Sequence, residues 1–265
     1  MWKMRLAKKS LGQNFLKDKN IIRKITKLVK IQNRDIIEIG PGTGALTDEI
    51  LKKKPRSLTI IEKDTGLFES LKLKYNNESQ IKIFNEDILN FNFEKVSDKK
   101  YLIFGNLPYN ISSQILVKLL KFKKLSSCFS DIIFMFQKEL GEKIIAKFPS
   151  INYGRLSILS NFKLKILGKF LVSSNCFVPK PKVTSLVIHF QPLEQNKFII
   201  KDLNNLEKIT NLFFSNKRKM INKTFKKNFK SLDLSKISNL NLNSRPADLS
   251  PETYYKITEI FEKNK

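Results

Sequence analysis

The chain has little of what most enzymes use for acid–base, thiol or metal chemistry. Its 265 residues include one histidine, two cysteines and one tryptophan. His189 stands alone inside the apolar run Val183–Phe190 and reads as a strand residue. Its solitude argues against a Ser-His-Asp hydrolase and against a His-rich metal site. Cys128 and Cys176 are far apart and form no Cys-x-x-Cys pair, so neither a thiolate metal site nor a disulfide framework is expected. A reducing compartment suits them. No run of 18 apolar residues exists, so no membrane-spanning helix is expected. The basic first residues lead into no continuous apolar segment of the kind a secretory leader needs. A cytoplasmic protein with no membrane partner is the expectation.

Acids are scarce as well. There are 24 Asp and Glu against 50 Lys and Arg, a formal net charge of +26, and only seven of the basic residues are Arg. An excess of this size predicts a polyanionic partner, nucleic acid above all. Richness in Lys, Asn and Ile also fits AT-rich coding sequence, but that bias alone would not leave the acids so far behind. The charge gathers at both ends. Residues 1–30 carry ten basic groups against Asp18, and residues 195–265 carry fifteen basic against seven acidic.

Between the ends, short apolar runs alternate with helical patterns. Strands are expected at Asp35–Gly40, Leu58–Glu62, Ile81–Phe84, Tyr101–Gly105 and Asp131–Phe136. Helical spacing marks 21–29, 46–51, 68–73, 111–122 and 138–148. This alternation predicts an α/β fold with a mostly parallel, doubly wound sheet. After Pro149 the pattern changes. Leu164–Val172 and Val183–Phe190 suit an antiparallel pair at one edge of the sheet. Pro192–Asn196 reads as a linker, and 203–214, 217–229 and 251–263 read as helices. The expected division is a catalytic domain over 1–194, opening with the basic segment 1–30, and a small basic helical domain over 195–265.

In an open parallel sheet, ligands bind outside the carboxyl ends of the strands. Candidate groups fall there one after another. Gly40, Gly42 and Gly44 follow the first strand and allow a ligand close to the backbone. Glu62 ends the second strand, where a carboxylate can accept from both ribose hydroxyls of a nucleoside. Asp87 follows the third, placed to accept from an adenine amino group. Asn106-Leu107-Pro108-Tyr109 leaves the fourth. The Asn106 amide oxygen and a neighbouring backbone carbonyl can accept both hydrogens of a planar amine, while the Tyr109 ring stacks on the base. Singly, each is a common turn or surface residue. Four at successive strand ends point to a nucleoside-containing cofactor. The dinucleotide fingerprint G-x-G-x-x-G is absent: the chain has Gly40-Pro41-Gly42-Thr43-Gly44 and then Ala45. S-adenosylmethionine, with a ribose and an adenine but no pyrophosphate, fits better.

Several motifs carry a family resemblance: Lys8–Leu16, Glu38–Gly44, Asn106–Ser112, Tyr153–Ser157, Phe177–Ser185, Lys217–Asn222 and Arg245–Ser250. In this order, and over nearly the whole chain, they resemble the ribosomal RNA adenine dimethyltransferases. The nearest branch is the bacterial one that dimethylates two adjacent adenosines near the 3′ end of 16S rRNA. Lys217 departs from the family's frequent second Arg, which touches RNA affinity more than chemistry. The resemblance implies a Rossmann-like class I methyltransferase with an antiparallel edge strand and a small C-terminal helical, RNA-binding domain. It implies S-adenosylmethionine as cofactor and 16S rRNA within the small subunit or its precursor as partner; nothing in the sequence demands more than a monomer.

It also implies roles. Asn14 and Leu16 would contact the cofactor, with Gln13 nearby. Gly40 would line its methionine end, Glu62 would hold the ribose and Asp87 the adenine. Asn106 would meet the target amine, with Leu107 and Pro108 in the same loop. Tyr109 and Phe177 would sandwich the target base. Phe177 stands in a Pro-rich loop, which favours an exposed stacking ring over a core aromatic. A large-subunit rRNA methyltransferase and an assembly factor with secondary catalysis are the alternatives.

Overall fold

The computed structural model describes residues 13–96, 99–229, 237 and 240–264. The basic residues Lys3, Arg5, Lys8 and Lys9, and the motif Lys8–Leu16 up to Gly12, lie outside the described residues.

The elements run β1 (Phe15–Leu16), α1 (Lys19–Thr26), β2 (Asp35–Ile39), α2 (Ala45–Leu51), β3 (Ser57–Glu62), α3 (Thr65–Lys74), β4 (Ile81–Asn85) and β5 (Tyr101–Asn106). Then come α4 (Ser112–Lys121), α5 (Leu125–Cys128), β6 (Phe129–Gln137), α6 (Lys138–Ile144), α7 (Arg155–Lys163), β7 (Leu164–Val172), β8 (Phe177–Val178) and β9 (Ser185–Pro192). Helices α8 (Leu203–Phe214), α9 (Asn222–Asn228) and α10 (Pro251–Lys263) complete the order.

Seven strands form one sheet in the order β4-β3-β2-β5-β6-β9-β7. The pairings from β4 to β6 are parallel, and β9 runs antiparallel to β6. Strands covered on both faces read as continuous apolar runs, and β2 and β5 do: every residue of β2 is buried, as are the first five of β5. Helices start where short polar side chains take up free backbone donors. Asp18 accepts from the Asn20 and Ile21 N–H groups at the head of α1, and Asp64 from Gly66 and Leu67 at the head of α3. The strand order reverses about β2 and β5, which places the ligand crevice at their carboxyl ends.

The chain separates into two compact units. One runs to Gly141 and resumes over Lys165–Pro192; the other holds Glu142–Leu164 and continues from Leu193. The second unit is helical with an aromatic core. Phe213 stacks on Phe229 with centroids 5.8 Å apart. Three buried tyrosines each donate to a backbone carbonyl: Tyr153 to Leu249 at 2.9 Å, Tyr254 to Pro246 at 2.7 Å and Tyr255 to Ile158 at 2.8 Å.

The helix expected over 217–229 is shorter, spanning Asn222–Asn228. Lys217-Arg218-Lys219 offers no apolar face, and the Ile221 N–H is taken by the Ser244 carbonyl at 3.0 Å. Helix α7 was not foreseen. It mixes Ser and Asn with its apolar residues, and its serines bond within their own turn, Ser160 Oγ to the Leu156 carbonyl at 2.8 Å.

Candidate active site at the carboxyl ends of the strands

A cleft of about 170 Å³ opens where β2, β3, β4 and β5 end. Gln13, Asn14, Leu16, Gly40, Gly42, Glu62, Asp87, Asn106, Leu107, Pro108 and Tyr109 all line it. The topology brings them together: each parallel strand delivers its last residues to the same edge.

The glycine loop forms one wall. Gly42 has φ of 60°, and a Cβ there would run into the Phe15 ring. A glycine is thus required twice, by the left-handed backbone and by the ring lying against it. Gly44 is different. It does not line the cleft, and a Cβ on it would meet the Tyr75 hydroxyl. Tyr75 bonds to the Gly44 carbonyl at 3.1 Å and to Asp48 at 2.7 Å. Gly44 thus packs behind the loop, outside the cleft lining where a cofactor contact was expected.

Two acids face the cleft from β3 and the turn after β4. Glu62 is 6% exposed, and its Oε1 accepts from the Asp64 N–H at 2.8 Å. Burial raises its pKa to about 6, against the backbone hydrogen bonds from Asp64, Gly42 and Lys63. Asp87 accepts from Lys63 Nζ at 2.8 Å and the Leu89 N–H at 2.9 Å. Burial pushes its carboxyl up, but the Lys63 and Leu89 hydrogen bonds outweigh it and leave the pKa below the usual range. The Asn85 amide ties the two strand ends, donating to the Glu62 carbonyl at 2.9 Å.

Asn106 closes the cleft at the end of β5. Its Nδ2 donates to the Asn14 carbonyl at 3.0 Å. That bond fixes the amide orientation and leaves Oδ1 as the acceptor. Gly105 makes room for this turn, since a Cβ on it would come 2.6 Å from Leu107 Cδ2. The Leu107 side chain is buried and anchors the loop. The Tyr109 hydroxyl meets Ser185 Oγ at 2.5 Å, and burial raises the phenol's pKa.

Phe177 is not an exposed ring. It is 2% exposed and lies in the core with Leu16, Ile22, Ile25 and Met135. The cause is the small sheet formed by β1 and β8, which pairs Leu16 with Phe177. His189 also stays out of the cleft, its Nε2 2.7 Å from Asp131.

Glu38, Phe15 and Lys63 line the cleft without having been singled out. Glu38 is the most informative of them. It is fully buried in β2, accepts from Thr47 Oγ1 at 2.7 Å, and burial lifts its pKa to about 7. An acid inside an apolar strand was the available signal. Among the described residues no cluster of His, Cys, Asp and Glu could hold a metal ion.

The donor set suits S-adenosylmethionine. It offers carboxylates on two neighbouring strand ends, a glycine wall, and an amide oxygen at the mouth. The family model described as ribosomal RNA adenine dimethylase matches residues 4–263. The chain is 45% identical over 257 residues to the ribosomal RNA small subunit methyltransferase A of Pelagibacter ubique, covering 97% of each. It is 41% identical over 228 residues to the protein of the same name from Mycoplasmopsis synoviae, covering 85% of this chain and 84% of that one. A crystal structure of a dimethyladenosine transferase from Plasmodium falciparum superposes with a TM-score of 0.75 at 25% identity, covering 94% of this chain and 98% of that one.

Proposed function

The chain belongs to the ribosomal RNA adenine dimethylase family, and on that premise we propose that it dimethylates N6 of two adjacent adenosines near the 3′ end of 16S rRNA. It is an S-adenosylmethionine-dependent rRNA adenine dimethyltransferase. The substrate is the RNA within the small subunit or its precursor, and the enzyme acts as a cytoplasmic monomer. No described helix is long and apolar enough to cross a membrane. Relatives at 45% and 41% identity carry the small-subunit name, which favours that substrate over large-subunit RNA.

The observation that carries the reading is Asn106. Its Nδ2 donates to the Asn14 carbonyl, so the Oδ1 acceptor stands at the mouth of a cleft with acids on two neighbouring strand ends. S-adenosylmethionine, when bound, supplies a methyl group already activated by a sulfonium. The chain's task is then alignment, which can supply roughly 7–11 kcal/mol of the barrier. Gln13, Asn14, Leu16, Gly40 and Gly42 would hold the cofactor, Glu62 its ribose hydroxyls and Asp87 its adenine amino group. Asn106 Oδ1 and the Leu107 carbonyl would accept the two hydrogens of the target amine. That draws the nitrogen toward a tetrahedral shape and localises its lone pair. Pro108 stiffens the turn, and Tyr109 stacks on the base. After transfer the amine is acidic enough for water to take its proton, so no histidine is needed. The target adenosine must leave its stack to arrive there. No base contact is assigned to Phe177.

The second unit, with residues 195–265 as its larger part, would bind RNA. Lys217, Arg218, Lys219, Lys223, Lys226 and Lys227 are exposed. Phosphate contacts of this kind make affinity fall steeply with salt. The test is incubation with S-adenosylmethionine and, in parallel, small subunits lacking dimethyladenosine or large subunits, followed by nucleoside mass spectrometry. N6,N6-dimethyladenosine in small-subunit rRNA is expected. Product confined to large-subunit RNA would overturn the assignment.

A further inference from the structure

The loops at the end of the first unit opposite the cleft are basic, and the acid that opens β2, Asp35, is buried and paired with Arg56 at 3.1 Å. β2 and β3 begin there, at Asp35 and Ser57. The loops entering them are joined, with the Asn33 N–H donating to the Lys54 carbonyl at 3.0 Å and the Arg56 N–H to the Arg34 carbonyl at 2.9 Å. Together they wall an open depression of about 710 Å³. Lys27, Lys30, Lys52, Lys53 and Lys54 line it, and among the described residues no acid does. Among described carboxylates, one of these lysines has an ion-pair partner: Lys52, 3.6 Å from Glu49.

Helix chemistry explains two of the five. Lys27 and Lys52 cap the ends of α1 and α2, where a cation complements the helix dipole. Lys30, Lys53 and Lys54 lie beyond those ends. Lys54 adopts φ of 53°, in the left-handed region where glycine or asparagine is the unstrained choice. The turn that ends α2 sets this φ, the Lys54 N–H donating to the Leu51 carbonyl at 2.9 Å, and it needs no cation at that position.

We propose that this depression grips a phosphate backbone, a second RNA contact remote from the target base. It rests on the reading of the chain as an rRNA enzyme. β2 separates the depression from the glycine loop by roughly 15 Å, at about 3.3 Å per residue. The two surfaces lie at opposite ends of the same strands, so a short hairpin whose target base enters the cleft leaves the depression free for a second helix of a folded RNA.

The experiment measures binding of small subunits, and of a short 3′-end hairpin, across a salt series. The parent is compared with Lys30→Glu/Lys53→Glu and with Lys54→Gly alone. Removing one phosphate-neutralising charge lowers the log–log salt slope by about 0.9. For the double variant on subunits the slope should fall by about two and affinity at least about tenfold, with hairpin binding unchanged. Lys54→Gly should lower the slope by about one while the melting temperature holds or rises, because glycine relieves the strained φ. An unchanged slope on subunits overturns the proposal, as does an equal loss on hairpin and subunits. Unchanged RNA binding with lost binding to phosphatidylglycerol vesicles would reassign the patch to a membrane surface and also overturn it. Parent methylation is assayed in the same samples. A parent that makes no dimethyladenosine counts against the enzymatic reading alone, whereas the slopes report the patch.

Discussion

The two ends of the parallel strands form a controlled pair, since the same chains of residues leave one and enter the other. At the carboxyl ends, Glu38 and Glu62 are buried, Asp87 is part-buried, and all three face the cleft. At the amino ends, five lysines line an open surface. The second unit repeats the basic pattern, with exposed cations over an aromatic core. Carboxylates at a crevice accept the hydroxyls and amines of a nucleoside. Exposed lysines hold phosphate. On the proposed function, the difference assigns chemistry and RNA grip to separate surfaces, so each should be removable alone.

The largest separation is expected from Asn106→Ala. Losing one preorganised acceptor at the reacting amine should lower methyl transfer about 10²–10³-fold, the scale seen when an oxyanion-hole donor is removed. RNA affinity should stay within about twofold, because base contacts here add little to the phosphate contacts. Equal losses, from rapid-quench transfer and filter binding on one preparation, would break the comparison.

Glu62→Gln comes next. It replaces a charged acceptor, a hydrogen-bond class worth about 1.5–3 kcal/mol, so S-adenosylmethionine affinity should fall about tenfold to a hundredfold. Calorimetric titration reads it directly. Lys217→Ala/Arg218→Ala/Lys219→Ala tests the basic side. It should weaken RNA binding by about tenfold and flatten its salt dependence while cofactor affinity holds.

These experiments lean on residues that the sequence made legible for a specific reason. Glu62, Asp87 and Asn106 could be found because an apolar run stops at each, and parallel topology brings such stops to one edge. Phe177 was misjudged because its burial comes from a two-residue pairing with Leu16, across 161 positions of sequence. Periodicity carries no trace of so distant a contact. Gly44 fitted the glycine pattern, but its neighbour is Tyr75, brought in by α3. Glu38 opens the Glu38–Gly44 motif but has no role there, because its place within an apolar run reads as a strand residue. The helix 155–163 escaped because its buried serines break the apolar stripe, so residues 142–164 showed no sign of packing with the C-terminal helices.

Glu38 supplies the smallest and most local test. Its pKa is about 7 when folded against an ordinary 4.5, with burial as the leading cause. Between those values the folded protein holds a proton that the unfolded chain has released, so stability is lost as pH rises through that window. In cofactor-free protein, Glu38→Gln should gain about 1–3 kcal/mol over the parent at pH 8, and the gap should close near pH 4.5. Melting curves across pH check it; a constant gap would show that Glu38 does not titrate there.

The most direct measurement is a crossed pair of dissociation constants, for S-adenosylmethionine and for small subunits, on Glu62→Gln and on the triple Lys217/Arg218/Lys219 variant. The account predicts that the first loses cofactor and keeps RNA, and the second loses RNA and keeps cofactor. Both variants losing both ligands would contradict it.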